Sequence, residues 1–167
     1  LHVYPIKSAR GLPSSSVRVA HFGFDDDRSW LLVDGSGGMV TQRQVPGLAR
    51  LRMERVGGRL LLHHEGQEPL RVKPRYSADR VTARVWGREV VGIDQGEDPA
   101  RWLSEALGCP VRLLAFESGP GSVGDPDATM FADGYPVLVA SEASLDDLNR
   151  RLLAAGSQAI PMDRFRP

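Results

Sequence analysis

Residues 50–63, Arg50-Leu51-Arg52-Met53-Glu54-Arg55-Val56-Gly57-Gly58-Arg59-Leu60-Leu61-Leu62-His63, carry the reading of the fold. Leu51 and Met53 alternate with Arg50, Arg52 and Glu54, the two-residue period of a strand with one buried face. Gly57-Gly58 then supply the positive-φ backbone of a two-residue hairpin turn, and Arg59 to His63 return. Working outward, Val81, Ala83 and Val85 alternate with Thr82, Arg84 and Trp86, and Glu89 to Asp94 follow as another strand. Upstream, Trp30 to Asp34 reads as a buried strand closed by Gly35-Ser36-Gly37-Gly38, with Met39 to Gln42 as its return. Val3 to Lys7 is a β-branched and aromatic run ending at a Ser8-Ala9-Arg10-Gly11 turn, and Ser16 to Ala20 is a further short candidate. Short strands at this spacing, without long helices between them, predict a sandwich or barrel, in which closure removes exposed edges.

Two helices punctuate the pattern. Asp98 reads as an N-cap with Pro99 in the first helical position; Trp102, Leu103, Ala106 and Leu107 form an apolar face, and Gly108 stops the helix. In the second, Ser144 reads as the cap and Asp146 and Asp147 as first-turn acids. Leu145, Leu148, Leu152 and Leu153 fall at helical spacing, and Gly156 ends it. Both read as packing helices. Between them, residues 118–128 are rich in Gly, Ser and Pro and read as a linker. The organisation expected is therefore a β-barrel unit over 1–117, the linker, and a second unit over 129–167. That second unit opens with a strand at Val137 to Ala140 and the capped helix. One strand and one helix cannot bury a core alone, so it reads as truncated.

Composition narrows the function. The chain of 167 residues balances 21 basic against 21 acidic side chains, so non-specific nucleic-acid binding is a poor fit. Its longest apolar runs fall far short of the ~20 residues that span a bilayer, and no secretory leader is read. The single cysteine, Cys109, cannot close an internal disulfide; a reducing, cytoplasmic setting is expected, with Cys109 as a packing thiol. The four histidines lack metal-ligand spacing, and neither a metal ligand nor a catalytic residue is assigned.

Four polar constellations remain. A strand ending in Lys7-Ser8 at a turn presents an ammonium, a hydroxyl and backbone N–H groups at one mouth of a barrel, the donors a phosphate needs; a solvated lysine is the alternative. Asp25-Asp26-Asp27 reads as a solvated acidic loop, because consecutive carboxylates splay apart. Arg28 abuts the apolar run, either paired with an internal carboxylate or held to meet an anion. Thr41-Gln42-Arg43-Gln44 offers neutral donors and one bidentate cation, or polar side chains that satisfy their own loop. Arg164-Phe165-Arg166-Pro167 can project Arg166 into a cleft if Pro167 keeps the backbone extended.

In order, Tyr4-Pro5-Ile6-Lys7-Ser8-Ala9-Arg10-Gly11, Asp27-Arg28-Ser29-Trp30, Thr41-Gln42-Arg43-Gln44-Val45-Pro46 and Trp86-Gly87 are followed by Phe131-Ala132-Asp133-Gly134-Tyr135-Pro136, Ser141 to Asn149 and Arg164-Phe165-Arg166-Pro167. This series resembles the MOSC superfamily, its N-terminal β-barrel domain and the opening of the MOSC domain, and among its members the amidoxime-reducing components and their bacterial counterparts. The resemblance implies a mainly β fold with a few helices: a β-barrel-like N-terminal domain followed by the first strand and helix of a MOSC β-barrel domain. It implies a molybdenum cofactor, a pterin with a phosphate tail, held through Lys7, Ser8, Arg28, Arg43 and Arg166. Gly134 and Tyr135 stand where relatives place hydroxyl residues. It further implies a small N-hydroxylated substrate and electrons from a donor protein or a fused ferredoxin domain. The family's molybdenum-ligating cysteine lies beyond the position of Pro167, so cofactor and turnover are expected of a longer protein and not of this stretch alone. A sulfur-carrier or pyridoxal-phosphate-binding module, and a redox-partner docking domain, are the rival readings.

Overall fold

The computed structural model describes residues 1–117 and 129–166; the linker read over 118–128, and Pro167, lie outside the described residues. Strands run in chain order as β1 (His2–Val3), β2 (Leu12–Pro13), β3 (Val19–Ala20), β4 (Gly23–Phe24), β5 (Trp30–Val33), β6 (Arg52–Val56), β7 (Arg59–His63), β8 (Leu70–Val72), β9 (Arg80–Val85), β10 (Arg88–Asp94) and β11 (Arg112–Phe116). The helices are α1 (Glu97–Leu107) and α2 (Glu142–Ala154).

The Gly57-Gly58 hairpin forms as the alternation requires. β6 pairs antiparallel with β7 from Arg52↔His63 to Val56↔Arg59, and β8 extends it to a three-stranded meander. Met53, Leu60, Leu62 and Val72 turn inward. A second, four-stranded antiparallel sheet runs in the order β5-β11-β10-β9. All four residues of β5 are buried, which is why that strand reads as a continuous apolar run. The fold is mainly β with two helices, a curled half-barrel. Ile6, Trp30, Leu48, Leu51, Leu60, Leu103 and Leu113 belong to its main core. A smaller cluster joins Leu31, Val33, Ala83, Val85 and Leu114 to Phe131, so the segment after residue 128 is anchored in the barrel by one fully buried aromatic ring.

Several expectations need correction. The first strand covers only His2–Val3, because Pro5 has no N–H for a ladder; Ile6 makes a single parallel bridge to Trp30 instead. The return at Met39 to Gln42 is one bridge, Val33↔Met39, before Thr41 turns onto Gln44. α1 begins two residues early, with Gly96 in the cap position at φ +92, and Asp98 lies inside its first turn. The cap of α2 is Ser141, whose Oγ accepts the Ser144 N–H at 3.4 Å, rather than Ser144 itself. α2 fully buries none of its residues; Leu145, Leu148 and Leu152 are only half-buried among the described residues. Val137 to Ala140 forms no ladder with any described strand, and a strand without a neighbour leaves its backbone groups to water.

Candidate functional site

Residues 4–7 and 28–30 are zipped together by backbone bonds: Arg28 N–H to Tyr4 O at 2.8 Å, Trp30 N–H to Pro5 O at 3.0 Å and Lys7 N–H to Trp30 O at 2.8 Å. Ile6 enters the core and its neighbour Lys7 leaves on the other side, as strand alternation demands. The Lys7 N–H is therefore not the free donor expected at a strand end. The Lys7 side chain is not solvated either: the residue is 5% exposed and its ammonium pairs with Asp133. Asp133 also accepts the Trp86 indole N–H at 2.6 Å.

The acidic triplet splays as its spacing requires, but each carboxylate finds an arginine. Asp25 takes Arg18 at 2.6 Å, Asp26 takes Arg55 at 2.7 Å, and Asp27 pairs with Arg28. Asp27 is buried and also accepts the Tyr4 N–H at 2.7 Å, which corrects the reading of a wholly solvated loop. Arg28 further donates to Arg166 O at 3.4 Å, and Arg166 donates to Ala9 O at 2.9 Å. Both guanidinium groups lie against one ring: Arg28 at 4.6 Å and Arg166 at 4.4 Å from the Tyr4 centroid, within cation–π range. That ring rests on Gly11, where a Cβ would sit 2.4 Å from Tyr4 Cε1, so the Ser8-Ala9-Arg10-Gly11 turn must end without a side chain.

These groups border a cleft of about 370 Å³ lined by Lys7, Arg28, Asp133, Gly134, Tyr135 and Arg166, together with apolar residues of the 132–138 segment and Phe165. Five of the seven residues singled out in the sequence thus share one cleft. Ser8 and Arg43 do not line it. Ser8 occupies the turn beside Lys7, and Arg43 stacks at 5.8 Å over Trp86, reaching the site through the indole that holds Asp133. Thr41 is engaged with Gln44 of its own loop.

Three cations face two carboxylates here, Lys7, Arg28 and Arg166 against Asp27 and Asp133. Burial pulls the Lys7 ammonium below its ordinary range, against the pull of Asp133. Burial also lowers Arg166, and nearby Arg28 adds to it. For Asp133 burial works against ionisation, yet the hydrogen bonds from Lys7 and Trp86 hold its carboxyl below the usual carboxylate range. Part of the left-handed backbone lies at the same place, at Arg28 and Arg166 in the cleft and at Ser8 and Trp86 beside it. Among the described residues, the non-glycine positions with positive φ are Ser8 (63°), Asp26 (63°), Arg28 (49°), Trp86 (50°) and Arg166 (53°). Each left-handed residue costs roughly 1–2 kcal/mol, and such strain clusters at functional sites.

Tyr4, Asp27, Trp86 and Asp133 stand within the motifs quoted from the sequence but were given no place of their own in the site. Tyr4 and Trp86 carried a signal, an aromatic directly ahead of a Pro-Ile-Lys strand end and a Trp-Gly hairpin turn. Nothing local marks Asp133, whose partners lie 126 and 47 residues away.

Residues 1–110 match the MOSC N-terminal beta barrel domain family. The mitochondrial amidoxime-reducing component 1 of Homo sapiens is 33% identical over 183 residues, covering 100% of this chain and 53% of that protein. Its counterpart in Mus musculus is 34% identical with the same coverage. The chain spans about half the length of the curated relatives it matches. A solution structure of a Bordetella bronchiseptica protein is 23% identical with a TM-score of 0.49, over 76% of this chain and 100% of that one, too distant to carry an argument.

Proposed function

The chain belongs to the MOSC N-terminal β-barrel domain family, and from that premise we propose that it is the cofactor-binding front of a molybdenum-dependent oxidoreductase acting on N-hydroxylated compounds. The observation that carries the reading is the convergence of Lys7, Arg28 and Arg166 on one cleft with more positive than negative charge. This donor set fits a phosphate. It combines one ammonium with two planar guanidinium forks, and burial strengthens each contact with an anion.

Each residue has a part in that fit. Lys7 supplies a point charge on a side chain fixed by the core behind it. Arg28 and Arg166 supply directional N–H donors whose planes are set by the Tyr4 ring and, for Arg28, by Asp27. Gly134 leaves the wall open, since a Cβ there would meet nothing within 4 Å. Tyr135, exposed beside it, offers a flat apolar face to a ring system. When bound, the cofactor supplies the redox chemistry at its metal; the chain's own groups bind, orient and neutralise its anionic end. Electrons come from a donor protein or an attached ferredoxin domain, and residues 129–166 open a second unit that completes the site. A pyridoxal phosphate or a sulfur carrier would use the same donors, so the test must identify the guest itself.

That test is elemental and chemical. The full-length protein that contains this chain, purified from molybdate-supplemented cells, is expected to contain molybdenum and a pterin, and its Arg28→Ala variant to retain much less of both. Loss of one charge-assisted contact removes roughly 1.5–3 kcal/mol of binding. Protein without pterin, or an Arg28→Ala variant with unchanged occupancy, would contradict the reading.

A further inference from the structure

We infer that Asp133 is a resident counter-ion: its carboxylate stands on Lys7 and Trp86 where an anionic guest would bind, and it swings aside when that guest arrives. The inference rests on the phosphate-binding reading of the cleft and adds its internal competitor. Lys7 is 5% exposed, and among the described residues its one ionic partner is Asp133. An ammonium so buried needs a compensating charge while the cleft holds only solvent. Asp133 provides it from one side only, because its side chain remains 68% exposed.

The backbone around Asp133 is built for displacement. Phe131 is fully buried and its N–H is bound to Arg28 O at 2.9 Å, so the chain is fixed two residues upstream. Downstream, residues 134–140 make no strand ladder among the described residues and a Cβ at Gly134 would meet nothing within 4 Å, while Pro136 lies against Gly23. Asp133 therefore sits where an anchored segment becomes an unladdered one, and rotating it outward breaks only its bonds to Lys7 and Trp86. Charge points the same way: with Asp133 turned out, its carboxylate no longer offsets Lys7, Arg28 and Arg166, and the excess of cations is one that a phosphate of about −1.5 to −2 can meet. The indole of Trp86 keeps a second contact when Asp133 leaves, the Arg43 guanidinium 5.8 Å over its ring.

The test uses the full chain and inorganic phosphate, read by tryptophan fluorescence, with Trp86→Phe assigning the signal to the indole beside Asp133. Asp133→Asn keeps an acceptor for Lys7 and Trp86 but removes the competing charge, and it is expected to bind phosphate on the order of tenfold tighter than the native chain. Equal or weaker binding by a folded Asp133→Asn overturns the inference while the reading of the cleft survives. Absence of phosphate binding in both proteins overturns both. Should that variant fail to fold, the native chain still decides. Saturating phosphate is expected to return the Asp133 carboxyl, followed by its ¹³C shift against pH, toward an ordinary carboxylate titration; an unmoved titration is the contrary result.

Discussion

Two ion-paired clusters stand near opposite ends of β10, about 20 Å apart along the strand, and they are built by different rules. At the far end, Asp94 accepts Arg112 at 2.5 and 3.1 Å and the Gly96 N–H at 2.7 Å, while Arg112 also reaches Glu97 at 2.8 Å. Gln95 beside them is buried, with its amide spent on Arg75 and Ile93 backbone groups. The left-handed position there falls to Gly96, where it costs little. At the near end, adjoining the Trp86-Gly87 turn, cations outnumber carboxylates, an ammonium is buried, and left-handed backbone is carried by Ser8, Arg28 and Arg166. The first cluster closes upon itself and ties α1 to the sheet. The second is held open and positive at a cost in strain, the mark of groups kept for a guest.

Breaking the anchors should separate the two ends. Phe131→Ala should have the largest effect, roughly 3–5 kcal/mol by urea denaturation, since it empties a fully buried aromatic site and loosens the segment that carries Asp133. Asp94→Ala should cost about 2–3 kcal/mol, less than a fully buried pair because Arg112 is 37% exposed, and should leave phosphate affinity unchanged. Ser8→Gly reverses the sign. Relief of its φ of 63° should add about 0.5–1 kcal/mol of stability by urea denaturation.

The smallest effect is electrostatic. Because the Asp133 carboxyl titrates below its ordinary range in the folded chain, the unfolded chain takes up that proton first as pH falls. Its contribution is present above about pH 4 and is lost as pH drops through the folded value. Asp133→Asn should therefore differ from the native chain by less than about 1 kcal/mol at pH 7, given the exposed side chain, and the gap should close in acid. A gap that persists at low pH would show that the amide disturbs packing rather than charge.

The barrel was legible wherever one face of an element is buried, because burial imposes period. The strands of the Gly57-Gly58 hairpin and β9 follow from it, while β5, buried throughout, was legible as a continuous apolar run and Gly108 as a positive-φ helix stop. Very short or interrupted elements were not, since β2 spans two residues and Pro5 cuts the first strand after Val3. The cap of α1 was misplaced by two residues for a tertiary reason: Asp94, already fixed by Arg112, takes the Gly96 N–H and so sets where α1 starts; that of α2 was misplaced by three because Ser141 caps the Ser144 N–H locally. Of the site, the cations were readable because Lys7, Arg28 and Arg166 each border a strand end or turn. Their counter-charges were not, for Asp133 meets Lys7 only through a contact spanning most of the chain.

The most direct test of the account is a calorimetric titration of inorganic pyrophosphate into four proteins: native, Lys7→Met, Arg28→Ala and Asp94→Asn. The native chain and Asp94→Asn are predicted to bind alike, while Lys7→Met and Arg28→Ala each lose about tenfold or more. Equal affinity across all four, or no binding by the native chain, would contradict it.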